Sequence, residues 1–206
     1  MILVKYSKLD GAEFIPHLDT LKHLTKIIRR MGIQINYSQG FNPHILIYLS
    51  SPIGLGLKSK SEYLLIDTTE KVDGFKENFN KCSLKGIRCI DAFYTEKKVK
   101  VASDIESATY SFKGFKPFDV KEILESETFE IIDKNGASKD VRNKIITLNF
   151  VGDVLYAKLK FGNDTLRPDY LANKLLTLYG GEHIDIVKES VNFIGNLVDI
   201  EYLENL

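Results

Sequence analysis

Cysteine is scarce in this chain, with two among 206 residues, Cys82 and Cys89, and neither stands at Cys-x-x-Cys spacing. The pair is therefore read as two small, reduced thiols rather than as a disulfide or half of a zinc site. An iron–sulfur site would likewise have to borrow ligands from elsewhere in the chain. Long apolar stretches are missing too: no uncharged segment approaches the roughly 18 residues of a membrane helix. Met1 leads straight into Ile2-Leu3-Val4-Lys5-Tyr6, without the basic and then apolar order of a secretion signal. A cytoplasmic chain with no membrane span is the expectation. Gly54-Leu55-Gly56 has no third glycine and no following helix, so it reads as a turn and not as a nucleotide loop.

Excess charge is also absent, since 28 Lys and Arg balance 28 Asp and Glu. The balance hides an asymmetry. Residues 1–100 hold 16 Lys and Arg against 10 Asp and Glu, a net +6, and residues 101–206 hold 12 against 18, a net −6. Opposite halves suit different partners, with a polyanion for the first. What is plentiful is core material: 44% of the chain is hydrophobic and 11% aromatic, enough to bury a real interior.

The periodicities predict two similar modules. Alternation marks a strand at Ile2 to Lys8. From Leu18 the period becomes helical, with Leu18, Leu21, Leu24, Ile27, Ile28 and Met31 as one apolar stripe and Gly32 as the stop. Ile33–Tyr37 and Ile45–Leu49 read as strands, as does Tyr63–Asp67. A second helix over Phe75–Cys82 and a strand over Ile87–Phe93 follow. The charged stretch Thr95 to Lys100 reads as a linker. Beyond it come a strand (Ala108–Phe112), a helix (Phe118–Leu124), strands at Phe129–Ile132, Ile145–Val151 and Leu155–Phe161, a helix over Pro168–Tyr179 and a strand over Ile184–Phe193. Lys134-Asn135-Gly136 is placed as the turn before Ile145. The fold class is α+β: two tandem ferredoxin-like modules of order β-α-β-β-α-β, over 1–96 and 101–206, the second with one extra strand.

Lys22, Lys26, Arg29 and Arg30 share one face of the first helix, opposite the apolar stripe, where four cations suit a phosphate backbone or a solvated surface. Tyr37, Phe41, Asn42 and His44 sit in a Ser-Gln-Gly-Phe-Asn-Pro loop that either stacks on unpaired bases or folds Phe41 into the core. Asp19 and His23, four residues apart, are placed to pair. His17 and His44, with Asp19, are the candidates for acid–base chemistry; metal-free phosphodiester cleavage is what two imidazoles offer. They lack metal-motif spacing, so no metal and no cofactor is expected. Arg167 stands at a helix N-terminus, where it binds phosphate or an acidic neighbour.

The motifs His17-Leu18-Asp19, Arg29-Arg30-Met31-Gly32, Tyr37 to His44, Pro52-Ile53-Gly54-Leu55-Gly56 and Ser61-Glu62 together resemble the radical SAM-linked protein family. That family is a domain of unknown function found beside, or fused to, radical SAM proteins that also carry cobalamin-binding domains. Asp140-Val141-Arg142 and Leu166-Arg167-Pro168 are similar to its second-half motifs, so the resemblance spans nearly the whole chain. The chain departs from it at Pro16, where the family often has serine, and at Asn143, where it often has proline. The resemblance implies a partner, a radical SAM/cobalamin-binding protein, and no reaction. Joined to the basic helix, it gives the expected function: an accessory protein that binds structured RNA and presents it for modification, without catalysis of its own. The alternatives are a protein–protein adaptor with no nucleic-acid role, and a metal-independent endoribonuclease.

Overall fold

The structure is a computed structural model that describes residues 1–97, 99–162 and 165–205, so Lys98 of the charged linker lies outside it. The chain divides into two compact units, Met1–Asp104 with Phe193–Leu206, and Ile105–Asn192. It is α+β throughout.

The first unit opens with β1 (Ile2–Lys8) and α1 (His17–Arg30). Then come β2 (Ile47–Leu49), β3 (Lys58–Ile66), α2 (Phe75–Cys82) and β4 (Ile87–Tyr94). The strands lie in the order β4-β1-β3 with β2 on β3, and these pairs are antiparallel. Ile2, Val4 and Tyr6 of β1, Leu64 and Ile66 of β3, and Ile87 and Cys89 of β4 join Leu24, Ile27 and Ile28 of α1 and Phe75 and Phe79 of α2 in one core. Full burial of Leu24, Ile27 and Ile28 contributes about 5–9 kcal/mol against an extended chain, an upper figure because unfolded chains already bury some surface.

Helix α1 is set by charge as well as by that stripe. Asp19 lies in its first turn and Arg29 and Arg30 in its last, complementing the helix dipole. Gly32, at φ 71°, takes the left-handed conformation just past the end. The phase of the helix differs from the expected one. Leu18 is 67% exposed, whereas Thr20 is buried with Leu24, Ile27 and Ile28. At 100° per residue Leu18 stands beside Lys22 and Arg29, not above Leu24, and His17, on the Leu24 side of the first turn, is exposed.

The second unit contains β5 (Ile105–Phe115), α3 (Lys121–Leu124), β6 (Glu130–Ile132), β7 (Ser138–Asp140), β8 (Ile145–Val151), β9 (Val154–Lys160), α4 (Pro168–Tyr179) and β10 (Gly181–Phe193). Its sheet runs β10-β5-β9-β8, with β6 and β7 as a separate hairpin. The second unit therefore has one strand more than expected, and the Lys134-Asn135-Gly136 turn leads to β7 rather than to Ile145. Strand β7 is three exposed residues with no apolar alternation, so its sequence carries no strand signal. Helix α3 starts later than expected because Pro117 precedes it and Phe118 is used elsewhere, stacked on Tyr179 at 3.9 Å. The Asp140-Val141-Arg142 motif is a fastener. Asp140 Oδ1 accepts the N–H groups of Phe129 (2.8 Å) and Arg142 (3.0 Å). The Arg142 guanidinium donates to the carbonyls of Ile145 and Leu124.

After β10 the chain returns to the first unit with α5 (Asp199–Asn205). The expected second module, 101–206, thus gives up its closing segment. Phe193 meets Tyr63 edge-on at 5.2 Å and stacks on Tyr202 at 4.3 Å. The Tyr202 hydroxyl donates to Asp104, and Lys97 Nζ donates to the carbonyls of Leu203 and Glu204. No helix among the described residues is long and apolar enough to cross a membrane.

Candidate nucleic-acid interface and the cleft at its end

The outer face of α1 carries Lys22, Lys26, Arg29 and Arg30, all exposed. Lys22 is partly engaged, with Nζ 3.0 Å from Asp19 Oδ1. A pair this exposed holds about 0–1 kcal/mol, so a phosphate can displace it. Asp19 does not pair with His23, as the spacing had suggested. His23 Nε2 instead accepts the Leu84 N–H at 3.2 Å and lies 3.4 Å from Ser83 Oγ, tying α1 to the end of α2. Burial first, then the charges of Arg30 and Lys26, lower the His23 pKa from 6.5, which suits a ring nitrogen that accepts.

The loop from Tyr37 to His44 is closed by a bridge between Tyr37 and Ile45 and by Ser38. The Ser38 N–H donates to the His44 carbonyl at 2.9 Å, and Ser38 Oγ contacts His44 Nδ1 at 2.8 Å. Tyr37 and Phe41 are 48% and 106% exposed, and Asn42 and His44 are exposed as well. Phe41 therefore stands in solvent, not in the core. His44 is committed to its own loop, and no hydrogen bond joins it to His17 among the described residues. In the second unit Arg167 takes the acidic neighbour: Nε and one terminal nitrogen reach both Asp169 oxygens at 3.0 and 2.5 Å, and the guanidinium lies 4.6 Å from the Tyr170 ring.

His17 has a different setting. It lines a cleft of about 330 Å³ whose walls are Lys8, Ile15, Pro16, Pro52, Ile53, Gly54 and Leu55. Behind it lies a cavity of about 20 Å³ bounded by Lys8, His17, Tyr6, Thr20, Leu49, Ser50, Pro52, Ile53 and Glu62. The walls are fixed by hydrogen bonds from the backbone and from Glu13. Glu13 Oε2 accepts the Gly11 N–H at 2.8 Å in the turn after β1, and the Glu13 carbonyl accepts the Gly56 N–H at 2.9 Å, which holds the 52–56 loop. Gly86 must be glycine for this turn to close. Its N–H-accepting carbonyl meets Leu9 at 2.8 Å, and a Cβ there would lie 2.1 Å from the Leu9 oxygen.

The small cavity behind this cleft is lined by two charged residues, Lys8, which also borders the cleft, and Glu62. Lys8 and Glu62 are 4% and 3% exposed, and Lys8 Nζ donates to the Ile15 carbonyl at 2.6 Å. Burial lowers the Lys8 pKa from 10.5, against the pull of Glu62 and Glu13. Burial, and then Glu62, push the Tyr6 hydroxyl well above 10. Lys8, Tyr6 and Glu62 are not among the site residues expected from sequence. The signal that marks them is parity: Lys8 continues the inward Ile2, Val4, Tyr6 row, and Glu62 begins the inward row of Leu64 and Ile66. A charge at an inward position of each of two paired strands is costly unless it serves something.

Among the described residues no group of three or more His, Cys, Asp or Glu side chains is arranged to hold a metal. Cys82 and Cys89 are free thiols. No curated protein matches the chain. Residues 1–168, which include the basic helix, the aromatic loop and every wall of the cleft, match the family described as "uncharacterized protein conserved in bacteria (DUF2344)", and the chain belongs to that family.

Proposed function

We propose that this chain is an RNA-binding accessory protein that presents structured RNA to a radical SAM/cobalamin-binding partner for modification. The observation that carries the RNA part is the α1 face, where Lys22, Lys26, Arg29 and Arg30 stand together in solvent on one rigid element. Exposed Tyr37 and Phe41 supply stacking surfaces of the kind single-stranded RNA uses. The partner comes from the motif resemblance alone. The same reading takes each unit as a ferredoxin-like module, which the orders β4-β1-β3-β2 and β10-β5-β9-β8 support, the β6–β7 hairpin being an insertion.

Retention of bulk small RNA on filters at rising salt tests it. Four phosphate contacts to single-stranded sites give a log–log salt slope of about −3, and Arg29→Ala/Arg30→Ala should halve it to about −1.5. Asp19→Asn, which frees Lys22 from its 3.0 Å pair, should strengthen binding at low salt. Identical curves for the native chain and the double variant, or no retention, refute the basic-face reading and leave the adaptor role.

A further inference from the structure

A strand at the edge of a sheet offers a row of backbone N–H and C=O groups to any other strand, and proteins blunt such edges with shortness, charge or proline. In this chain β2 is three residues long, β4 carries Arg88 and Asp91, and β7 is three residues with Lys139 and Asp140. Strand β8 has none of these devices. It ends the sheet of the second unit, and among the described residues it pairs with β9 alone. Its sequence, Ile-Ile-Thr-Leu-Asn-Phe-Val, holds no charge, proline or glycine. The register shift lies between Ile145 and Thr147, so residues 147–151 run in regular antiparallel register with 158–154 of β9. Along such a strand alternate residues aim N–H and C=O away from the neighbour. Among the described residues no second backbone partner meets 147–151 on that side.

We propose that β8 is a dimerisation edge whose occupant is the β8 strand of a second copy of this chain, antiparallel across a two-fold axis at Asn149. The strand is its own complement in that register. Leu148 comes opposite the second copy's Phe150, and both belong to the inner face, where Leu148 is buried and Phe150 half-buried. Thr147 comes opposite Val151, and Asn149 opposite itself, all three on the exposed face. Facing β-branched side chains and facing amides support strand pairing, and no like charges meet. Charge also sets the direction. Lys144 stands just before the strand and Asp153 just after it. Antiparallel pairing turns each lysine toward the other copy's aspartate, whereas parallel pairing would set like against like. The added strand covers part of the Val151 side chain, now 62% exposed. A contact of this kind is isologous, so it closes on itself and leaves neither β8 edge open to further growth.

Sedimentation equilibrium of the full chain at rising concentration tests the assignment. Two short strands make a small interface, so a dimer with a dissociation constant of about 1–100 μM is expected. Asn149→Lys sets two ammonium groups against each other on the axis and should weaken the dimer about tenfold, and Asn149→Asp should do the same with two carboxylates. Mixed in equal amounts, the two variants should associate as the native chain does, because lysine then faces aspartate. Asn149 is exposed, so both changes spare the core. Should either variant fail to fold, Val151→Lys, which replaces an exposed apolar contact at the end of the pairing with a charge, keeps the test decisive and should also weaken the dimer. A monomer at every concentration up to about 1 mM, a dimer that Asn149→Lys leaves intact, or two folded variants that do not recover association on mixing overturns the proposal.

Discussion

Replacing Tyr202 by alanine should loosen the first unit and leave the second nearly as it was. The Tyr202 ring is 3% exposed, stacks on Phe193 at 4.3 Å with the planes 12° apart, and hands its hydroxyl proton to Asp104. Removing a ring so enclosed costs about 3–5 kcal/mol. Tyr202→Phe keeps the ring and loses the bond to a carboxylate, about 1.5–3 kcal/mol, so the two variants separate packing from hydrogen bonding. Against a total stability of about 5–15 kcal/mol, the alanine variant loses a large share. Hydrogen exchange followed by mass spectrometry reads where that share sits. At about 1.4 kcal/mol per decade, amides of Ile2–Lys8 and Lys58–Ile66 should exchange roughly two to three and a half decades faster. Those of Ile105–Phe115 and Val154–Lys160 should change little. Loss of protection in these latter strands without loss in the former, or a cost below about 1 kcal/mol, would show that the closing segment stabilises the second unit instead.

Two further outcomes follow from the titrating side chains. His23 has its pKa lowered from 6.5, so the unfolded chain binds the proton first as pH falls. Its share of stability is complete above about pH 6.5 and drains away below it, and His23→Gln should flatten that part of the urea-midpoint profile. Burial pushes the Cys89 thiol up to about 12, which leaves roughly one thiolate in ten thousand at pH 8. Iodoacetamide should therefore modify half-buried Cys82 and spare Cys89 until urea is added, and equal labelling of both in the native chain would contradict the burial of Cys89.

Helices whose burial stripe is complete were legible to the residue: Phe75–Cys82 and Pro168–Tyr179 stand where their periodicity puts them. Strands with strong alternation were found and then lengthened by pairing, as when Tyr63–Asp67 became Lys58–Ile66. The added stretch, Lys58-Ser59-Lys60-Ser61-Glu62, is polar in composition, and partners on β1 rather than its own residues make it a strand. What pattern could not supply was structure imposed from a distance. Strand β7 exists because Asp133 gathers the Lys139 ammonium and the N–H groups of Asn135 and Ala137, which in that order hold its carboxyl down to about 2. The return of Phe193–Leu206 to the first unit depends on Tyr63 and Asp104, far off in sequence.

The candidate site divides along the same line. The basic face of α1 was legible because four side chains on one helix need only the helical repeat. The cleft was not, because its members come from the end of β1, the start of α1 and the 52–55 loop, and no local period links them. His17 is the residue that the two cavities share with Lys8, Pro52 and Ile53, and those partners lie far from it in sequence. With the helix phased on Thr20, Leu24, Ile27 and Ile28, His17 lies on their side of α1, exposed at the helix start, and lines the small cavity that Lys8 and Glu62 also line. Lys8 and Glu62 break the inward rows of β1 and β3. Those breaks are local facts of the sequence. Taken with a strand register that places Tyr6 opposite Glu62, they mark the polar lining of the small cavity behind the cleft, built from two strands that only the sheet brings together.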